Sequence, residues 1–144
     1  INLNEAKVLD LFSGTGSFGI ECISRGAKKV IFCENYFNSI KVLKKNLDLL
    51  KINKYSKVIK KDIYKISNSE LNFKKFDLIF LDPPFKDNKI NQIIEIIKSM
   101  KITTKKSLII IHRNKKIDEN ICEDLIILKE KIYGLSKIIF GKIY

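Results

Sequence analysis

Short apolar runs and longer amphipathic stretches alternate along this chain. Runs rich in Val, Ile, Leu and Phe near residues 7 to 12, 29 to 33, 56 to 60, 76 to 81 and 106 to 112 have strand length and little polar interruption. That is the pattern of strands buried on both faces of a parallel sheet. Two further strands are expected near 124 to 133 and 136 to 143. Between the runs, helices are expected near 17 to 25, 37 to 50 and 89 to 100, the second showing Ile40, Leu43, Leu47 and Leu50 at helical spacing. Asn88 is placed to cap the third. Only Gly134-Leu135 separates the last two strands, which predicts a hairpin and hence one antiparallel strand at the end of the parallel sheet. The expected fold is therefore α/β, a mostly parallel seven-stranded sheet with a C-terminal antiparallel hairpin strand and helices on both faces. No repeat and no Pro/Gly/Ser linker divides residues 1–144, which read as a single domain.

Composition narrows the class. With 144 residues, 45% of them hydrophobic, the chain can bury a sizeable core. No apolar run approaches the roughly 20 residues of a membrane span and no signal-peptide pattern opens the chain, so a cytoplasmic protein without a membrane partner is expected. Cys22, Cys33 and Cys122 are odd in number and form no C-x-x-C pair. This argues against a metal site or a disulfide framework and reads them as buried thiols in a reducing compartment. The net charge of +12 invites a nucleic-acid partner. It is discounted because 26 of the 28 basic residues are Lys, with only Arg25 and Arg113 as Arg, in a chain rich in Ile and Asn as an AT-rich genome would encode. Most of these lysines read as solvated helix faces; the basic surface still strengthens salt-dependent attachment to phosphate backbones.

Candidate chemistry lies where the apolar runs end. After the first strand, Ser13-Gly14-Thr15-Gly16-Ser17-Phe18-Gly19 matches G-x-G-x-x-G, which permits a tight turn and close approach of a cofactor to the backbone. Glu34, after the second strand, is placed to accept hydrogen bonds from ribose hydroxyls, although an ordinary surface acid is the plainer alternative. Asp62-Ile63, after the third, offers an acceptor for an adenine amino group beside an apolar surface, although Asp62 could equally cap the next turn. After the fourth comes Asp82-Pro83-Pro84-Phe85. Asp82 and the Pro83 carbonyl can accept hydrogen bonds from an amine, neither proline has an N–H to offer, and Phe85 can stack on a flat base. All four motifs follow parallel strands, and ligands of open α/β sheets bind beyond the strands' carboxyl ends.

Two cofactor classes fit such a clamp. A nicotinamide dinucleotide needs its pyrophosphate over a helix N-terminus, whereas S-adenosylmethionine is cationic. Asp10 adds negative charge near the glycine loop, and the Asp82 to Phe85 segment has no role in hydride transfer, so methyl transfer to an exocyclic nitrogen is the favoured reading.

The ordered set DLFSGTGSFGIE, CEN, KKDIY and FDLIFLDPPF resembles the bacterial 16S ribosomal RNA guanine-N2 methyltransferases of the RsmD type. Ser24-Arg25-Gly26-Ala27 and Tyr133-Gly134 extend the resemblance over nearly the whole chain. It implies a Rossmann-like class I methyltransferase fold, with S-adenosylmethionine as cofactor. Asp10, Phe12, Gly14, Thr15, Gly16, Glu34, Asn35, Asp62 and Ile63 would bind the cofactor, and Asp82, Pro83, Pro84 and Phe85 would be catalytic. The implied partner is 16S ribosomal RNA or the small ribosomal subunit particle, met by a monomer that uses no metal. The Asp-Pro-Pro-Phe tetrapeptide alone is less specific, since related enzymes acting on adenine or cytosine use similar ones. Only Ile1 to Ala6 precede the first strand, and no initiator Met is present, which points to a fragment lacking the family's basic N-terminal segment and so to weaker RNA docking. Where the family often has an acid after the fifth strand, this chain has His112-Arg113.

His112, the only histidine, is expected one strand away from the amine site and is assigned no base role. Tyr36, Tyr64 and Tyr133 are assigned none beyond packing. Three other readings stay open: a DNA adenine methyltransferase, for which no target-recognition region is visible; an NAD-dependent oxidoreductase; and a noncatalytic RNA-binding domain that keeps the fold.

Overall fold

Consecutive apolar residues can all be buried only where both faces of a strand are covered, and the central strands meet that condition. The computed structural model describes residues 1–72 and 75–144. Its elements run β1 (Lys7–Leu11), α1 (Ser17–Ser24), β2 (Lys29–Glu34), α2 (Phe37–Leu49), β3 (Ser56–Lys60), α3 (Asn68–Leu71), β4 (Leu78–Leu81), α4 (Ile90–Met100), β5 (Leu108–Asn114), β6 (Ile126–Tyr133) and β7 (Ser136–Lys142). Leu9, Leu11, Ile31, Ile79, Leu81, Ile109 and Ile111 point to one face of the sheet and pack against Ile90, Ile93, Ile94 and Ile97 of α4. Val8, Val30, Phe32 and Leu78 point to the other, against Cys22 of α1 and Leu43 and Leu47 of α2. The alternation of side chains along each strand makes these two cores from one sheet.

The sheet order is β3-β2-β1-β4-β5-β7-β6. β1 pairs with both β2 and β4 in parallel, and β4 with β5. The chain therefore steps outward from β1 in one direction, then restarts at β4 and steps in the other. A crevice opens between β1 and β4 at such a reversal. The glycine loop follows β1 and Asp82 follows β4, so both motifs meet there.

Several expectations change in detail. β7 is antiparallel to both β5 and β6 and lies between them, so β6 takes the sheet's edge, exposed along its length. β5 runs on to Asn114. Leu50 is the cap residue of α2 and 55% exposed, outside the buried stripe. Asn88 does not cap α4: Lys89 holds that position, and the Asp87 carboxylate accepts from its N–H at 2.8 Å. The short α3, with a capping box between Ser67 and Glu70, was not expected, because four residues carry too little periodicity. Cys22 and Cys33 are buried and Cys122 partly so, all three as free thiols. Among the described residues no helix is long and apolar enough to cross a membrane, and no group of three or more His, Cys, Asp or Glu could hold a metal ion.

Candidate active site

The loop after β1 turns sharply enough to put Phe12 and Gly14 at positive φ, 59° and 55°. Ser13 N–H donates to the Cys33 carbonyl at 3.1 Å, tying the loop to β2. Glu34, at the end of β2, accepts from Gly14 N–H at 2.8 Å through Oε1 and from Asn35 and Tyr36 N–H at 2.7 and 2.9 Å through Oε2. A carboxylate has about four acceptor positions, so Glu34 braces the loop and keeps about one for a ribose hydroxyl. A Cβ on Gly14 would project into open space, a cradle for a ligand lying on the loop. Gly16 serves packing instead: its φ is 91°, and a Cβ there would come within 2.3 Å of Leu43 Cδ1. The Thr15 carbonyl accepts from Asn46 Nδ2 at 3.1 Å.

Asp10 is 1% exposed. Its Oδ2 accepts from Gly19 N–H at 3.0 Å, whereas its Oδ1 is buried with no partner among the described residues. Burial pushes the carboxyl up to about 8, the Gly19 N–H opposes this, and the charges of Asp82 and Glu34 add to it. Asp10 is thus held largely protonated at neutral pH, which corrects the expectation of a standing negative charge near the loop.

Asp62 caps the turn at residues 63–65, with Oδ1 accepting from Tyr64 N–H at 3.0 Å, and its other oxygen is not used in that cap. Ile63 is 2% exposed and belongs to the core, so little of it is left to face an adenine ring. The partly exposed apolar surface there is the edge-on pair of Phe12 and Tyr64, ring centroids 6.3 Å apart.

Leu81 pairs with Leu11 across the crevice, and Asp82 N–H donates to the Leu11 carbonyl at 3.3 Å, so Asp82 emerges beside the glycine loop. A cavity of about 540 Å³ is lined by Phe12, Gly14, Glu34, Tyr36, Asp82, Pro83, Pro84, Phe85 and His112. Asp10 and Thr15 line a smaller hollow of about 360 Å³ that shares Phe12, Gly14 and Asp82 with it. Phe85 is 44% exposed, as a stacking ring must be. Of the residues selected from sequence, Gly16, Asn35, Asp62 and Ile63 line neither space.

Comparison with known proteins bears on this arrangement. The family model described as conserved hypothetical protein 95 matches residues 1–142. Ribosomal RNA small subunit methyltransferase D of Haemophilus influenzae is 34% identical over 134 residues, 92% of this chain and 69% of that protein. The chain belongs to the ribosomal RNA small subunit methyltransferase D family. A solved conserved hypothetical protein of Streptococcus pyogenes superposes with a TM-score of 0.79 at 28% identity, covering 94% of this chain and 84% of that one. An RNA methyltransferase from Salinibacter ruber, solved with S-adenosyl-L-homocysteine, shares the fold alone, with a TM-score of 0.75 at 14% identity over 98% of this chain and 83% of that one.

In this methyltransferase D family member, the residues that sequence reasoning passed over are the ones gripping the Asp-Pro-Pro-Phe loop. His112 is in contact with the site: its Nδ1 lies 2.8 Å from Asp82 Oδ1. Arg113, 2% exposed, donates from Nη1 to the Pro84 carbonyl at 3.3 Å and from Nη2 to the Asp87 carbonyl at 2.8 Å. Its charge is met by Glu119, with Nε to Oε1 at 2.6 Å and Nη2 to Oε2 at 2.8 Å. Tyr64 donates its hydroxyl to the Asp87 carboxylate, linking the turn after β3 to the same loop. The available hint was a histidine and an arginine ending an otherwise apolar run, which is costly unless each has a partner.

Proposed function

We propose that this chain transfers the methyl group of S-adenosylmethionine to the exocyclic N2 of a guanine in 16S ribosomal RNA, as naked RNA or within the small subunit, in the cytoplasm. The observation that carries the reading is that Gly14 and Glu34 share one cavity with Asp82, Pro83, Pro84 and Phe85. The residues proposed to hold the ribose and those proposed to hold the amine would then face the same space. The names of the relatives support the ribosomal substrate, and the unpartnered Asp10 Oδ1 suits the ammonium of an amino acid tail.

When bound, the cofactor supplies an electrophilic methyl on a sulfonium. Glu34 would take a ribose hydroxyl, Asp62 the adenine amine, and Asp10 the ammonium. Asp82 and the Pro83 carbonyl would each accept one N–H of the guanine amine, aiming its lone pair at the methyl carbon, while Phe85 stacks on the ring. Orientation of this kind can supply much of the barrier reduction, with effective molarities of roughly 10⁵ to 10⁸ M. The bound cofactor would supply the methyl and keep the electron pair on its sulfur; on this chain, Asp82 and the Pro83 carbonyl would hold the amine whose lone pair takes the methyl, and Asp82 would receive the proton the nitrogen then sheds. A base in RNA must be splayed out of its stack to enter.

The test is transfer of radiolabelled methyl from S-adenosylmethionine to 30S particles and to naked 16S ribosomal RNA, with mass mapping of the product nucleoside. Asp82→Ala should lower transfer by about 10²-fold or more at matched cofactor saturation, with cofactor affinity little changed. Near-normal transfer by this variant, or a product other than N2-methylguanosine, would overturn the reading.

A further inference from the structure

A carboxylate at the end of a strand must be held if one of its oxygens is to meet an amine in a fixed direction. Asp82 has a side chain 41% exposed, and the half-buried His112 meets it, with Nδ1 2.8 Å from Oδ1. The opposite ring nitrogen, Nε2, lies 2.8 Å from Ser136 Oγ at the start of β7. Phe85 packs edge-on against the imidazole, ring centroids 5.5 Å apart. Both ring nitrogens are thus engaged, and the ring packs against Phe85.

We infer that His112 is a positioning residue for Asp82, working as the neutral imidazole protonated on Nδ1; this rests on the proposed role of Asp82. An ionised carboxylate can only accept, so the proton between the two groups sits on Nδ1. Nε2 is then bare and can accept the Ser136 hydroxyl proton; the acceptor-only carboxylate at Nδ1 sets the tautomer. Oδ1 of Asp82 is occupied, leaving Oδ2 for one N–H of the target amine while the Pro83 carbonyl takes the other. The same three side chains, contacting in the same order, form the hydrolytic Ser-His-Asp triad, in which the serine faces the substrate. Here the polarity is reversed. Asp82 lines the cavity and Ser136 closes the far end, next to the β6–β7 turn, so the bonds orient an acid rather than activate a hydroxyl.

Because His112 is the only histidine, ring-nitrogen NMR of the ¹⁵N-labelled chain reports on it alone. The expected spectrum is the Nδ1–H tautomer, moving toward a tautomer mixture in both Asp82→Ala and Ser136→Ala. In single-turnover transfer at saturating S-adenosylmethionine, His112→Ala should lower the rate constant by about 10- to 100-fold with unchanged cofactor affinity, as for loss of a hydrogen bond to a charged group. His112→Asn, whose amide N–H can stand in for Nδ1–H, should restore most of that rate. An Nε2–H tautomer indifferent to Asp82→Ala would overturn the inference, as would a His112→Ala rate within twofold of wild type. A wild-type chain inactive on every ribosomal substrate but showing an Nδ1–H tautomer that answers to Asp82 would support the pairing and overturn the proposed reaction instead.

Discussion

Asp10→Asn tests the cofactor half of the site. The carboxyl is pushed up from 3.8 to about 8, chiefly by burial. The sign follows from the raised value: its contribution to stability is fully present below about 3.8 and is lost as pH rises toward about 8, because the unfolded chain ionises first. Linkage sets the slope at about 1.4 kcal/mol per pH unit within that window. An asparagine does not titrate, so the stability of the variant relative to wild type should climb with pH across the window. Binding should move the other way. A ligand ammonium at Oδ1 favours the ionised form, so at neutral pH binding should release close to one proton. Log affinity should rise by about one unit per pH unit between roughly pH 5 and 7, where an amino acid ammonium stays protonated. In the variant, Gly19 N–H retains the amide oxygen, which turns the amide NH₂ toward the ammonium. Loss of a charge-assisted bond of about 1.5 to 3 kcal/mol predicts roughly 10- to 150-fold weaker binding and no pH dependence. Calorimetry in two buffers of different ionisation enthalpy counts the protons, and thermal melts from pH 5 to 9 give the stability arm. Wild-type enthalpies independent of buffer, together with variant affinity within twofold of wild type, would refute the assignment of Asp10 to the ammonium.

Glu34→Gln should weaken S-adenosylmethionine binding by about 1 to 2 kcal/mol, roughly 5- to 30-fold, because one of its oxygens, each already accepting from the backbone, becomes a donor; unchanged affinity by calorimetry would remove Glu34 from the site. Arg113→Met should cost about 3 to 5 kcal/mol in urea denaturation, since it strands the Glu119 carboxylate and the Pro84 and Asp87 carbonyls. A cost below about 1 kcal/mol would show that other contacts hold the loop. RNA binding, carried by a charge of +12 made almost entirely of lysine, should weaken steeply as salt rises in a filter-binding series. Tight, salt-insensitive binding to an RNA hairpin would point instead to a base-reading surface.

What could be read from the chain was whatever a strand end announces. An apolar run fixes a strand, the residues that break it mark the strand's exit, and in a parallel sheet every exit lies on one edge. That logic located Gly14, Glu34 and Asp82 without knowledge of strand order. It failed where the outcome depends on what surrounds a residue. Asp10 reads as a charge in any sequence, and only its burial at 1% exposure turns it into an acid protonated near neutrality. Ile63 follows a candidate acceptor just as a ring-packing residue should, but the core claims it. The Gly134-Leu135 turn shows that β6 and β7 pair, yet not which of them meets β5; the hairpin folds back so that the later strand does.

β5 shows most clearly why the grip on the loop was illegible. Its apolar run ends at Ile111, the strand is expected to stop at residue 112, and a polar Arg113-Asn114 looks like the start of a connection. The strand continues because β7 supplies partners, with Ile138 opposite His112 and Lys137 opposite Arg113. Successive strand residues point to opposite faces, so extending β5 by these positions sends His112 and Arg113 to two sides of the same sheet edge. The loop from Asp82 to Asp87 passes over that edge, and each side holds part of it, His112 at the Asp82 carboxylate and Arg113 at the Pro84 and Asp87 carbonyls. These contacts join residues 26 to 30 positions apart and depend on a third strand arriving from the C-terminus, so the polar end of the run hints that partners exist without naming them. The role proposed for Asp82 requires a loop held on both sides of the backbone, and two adjacent residues of one strand hold it there.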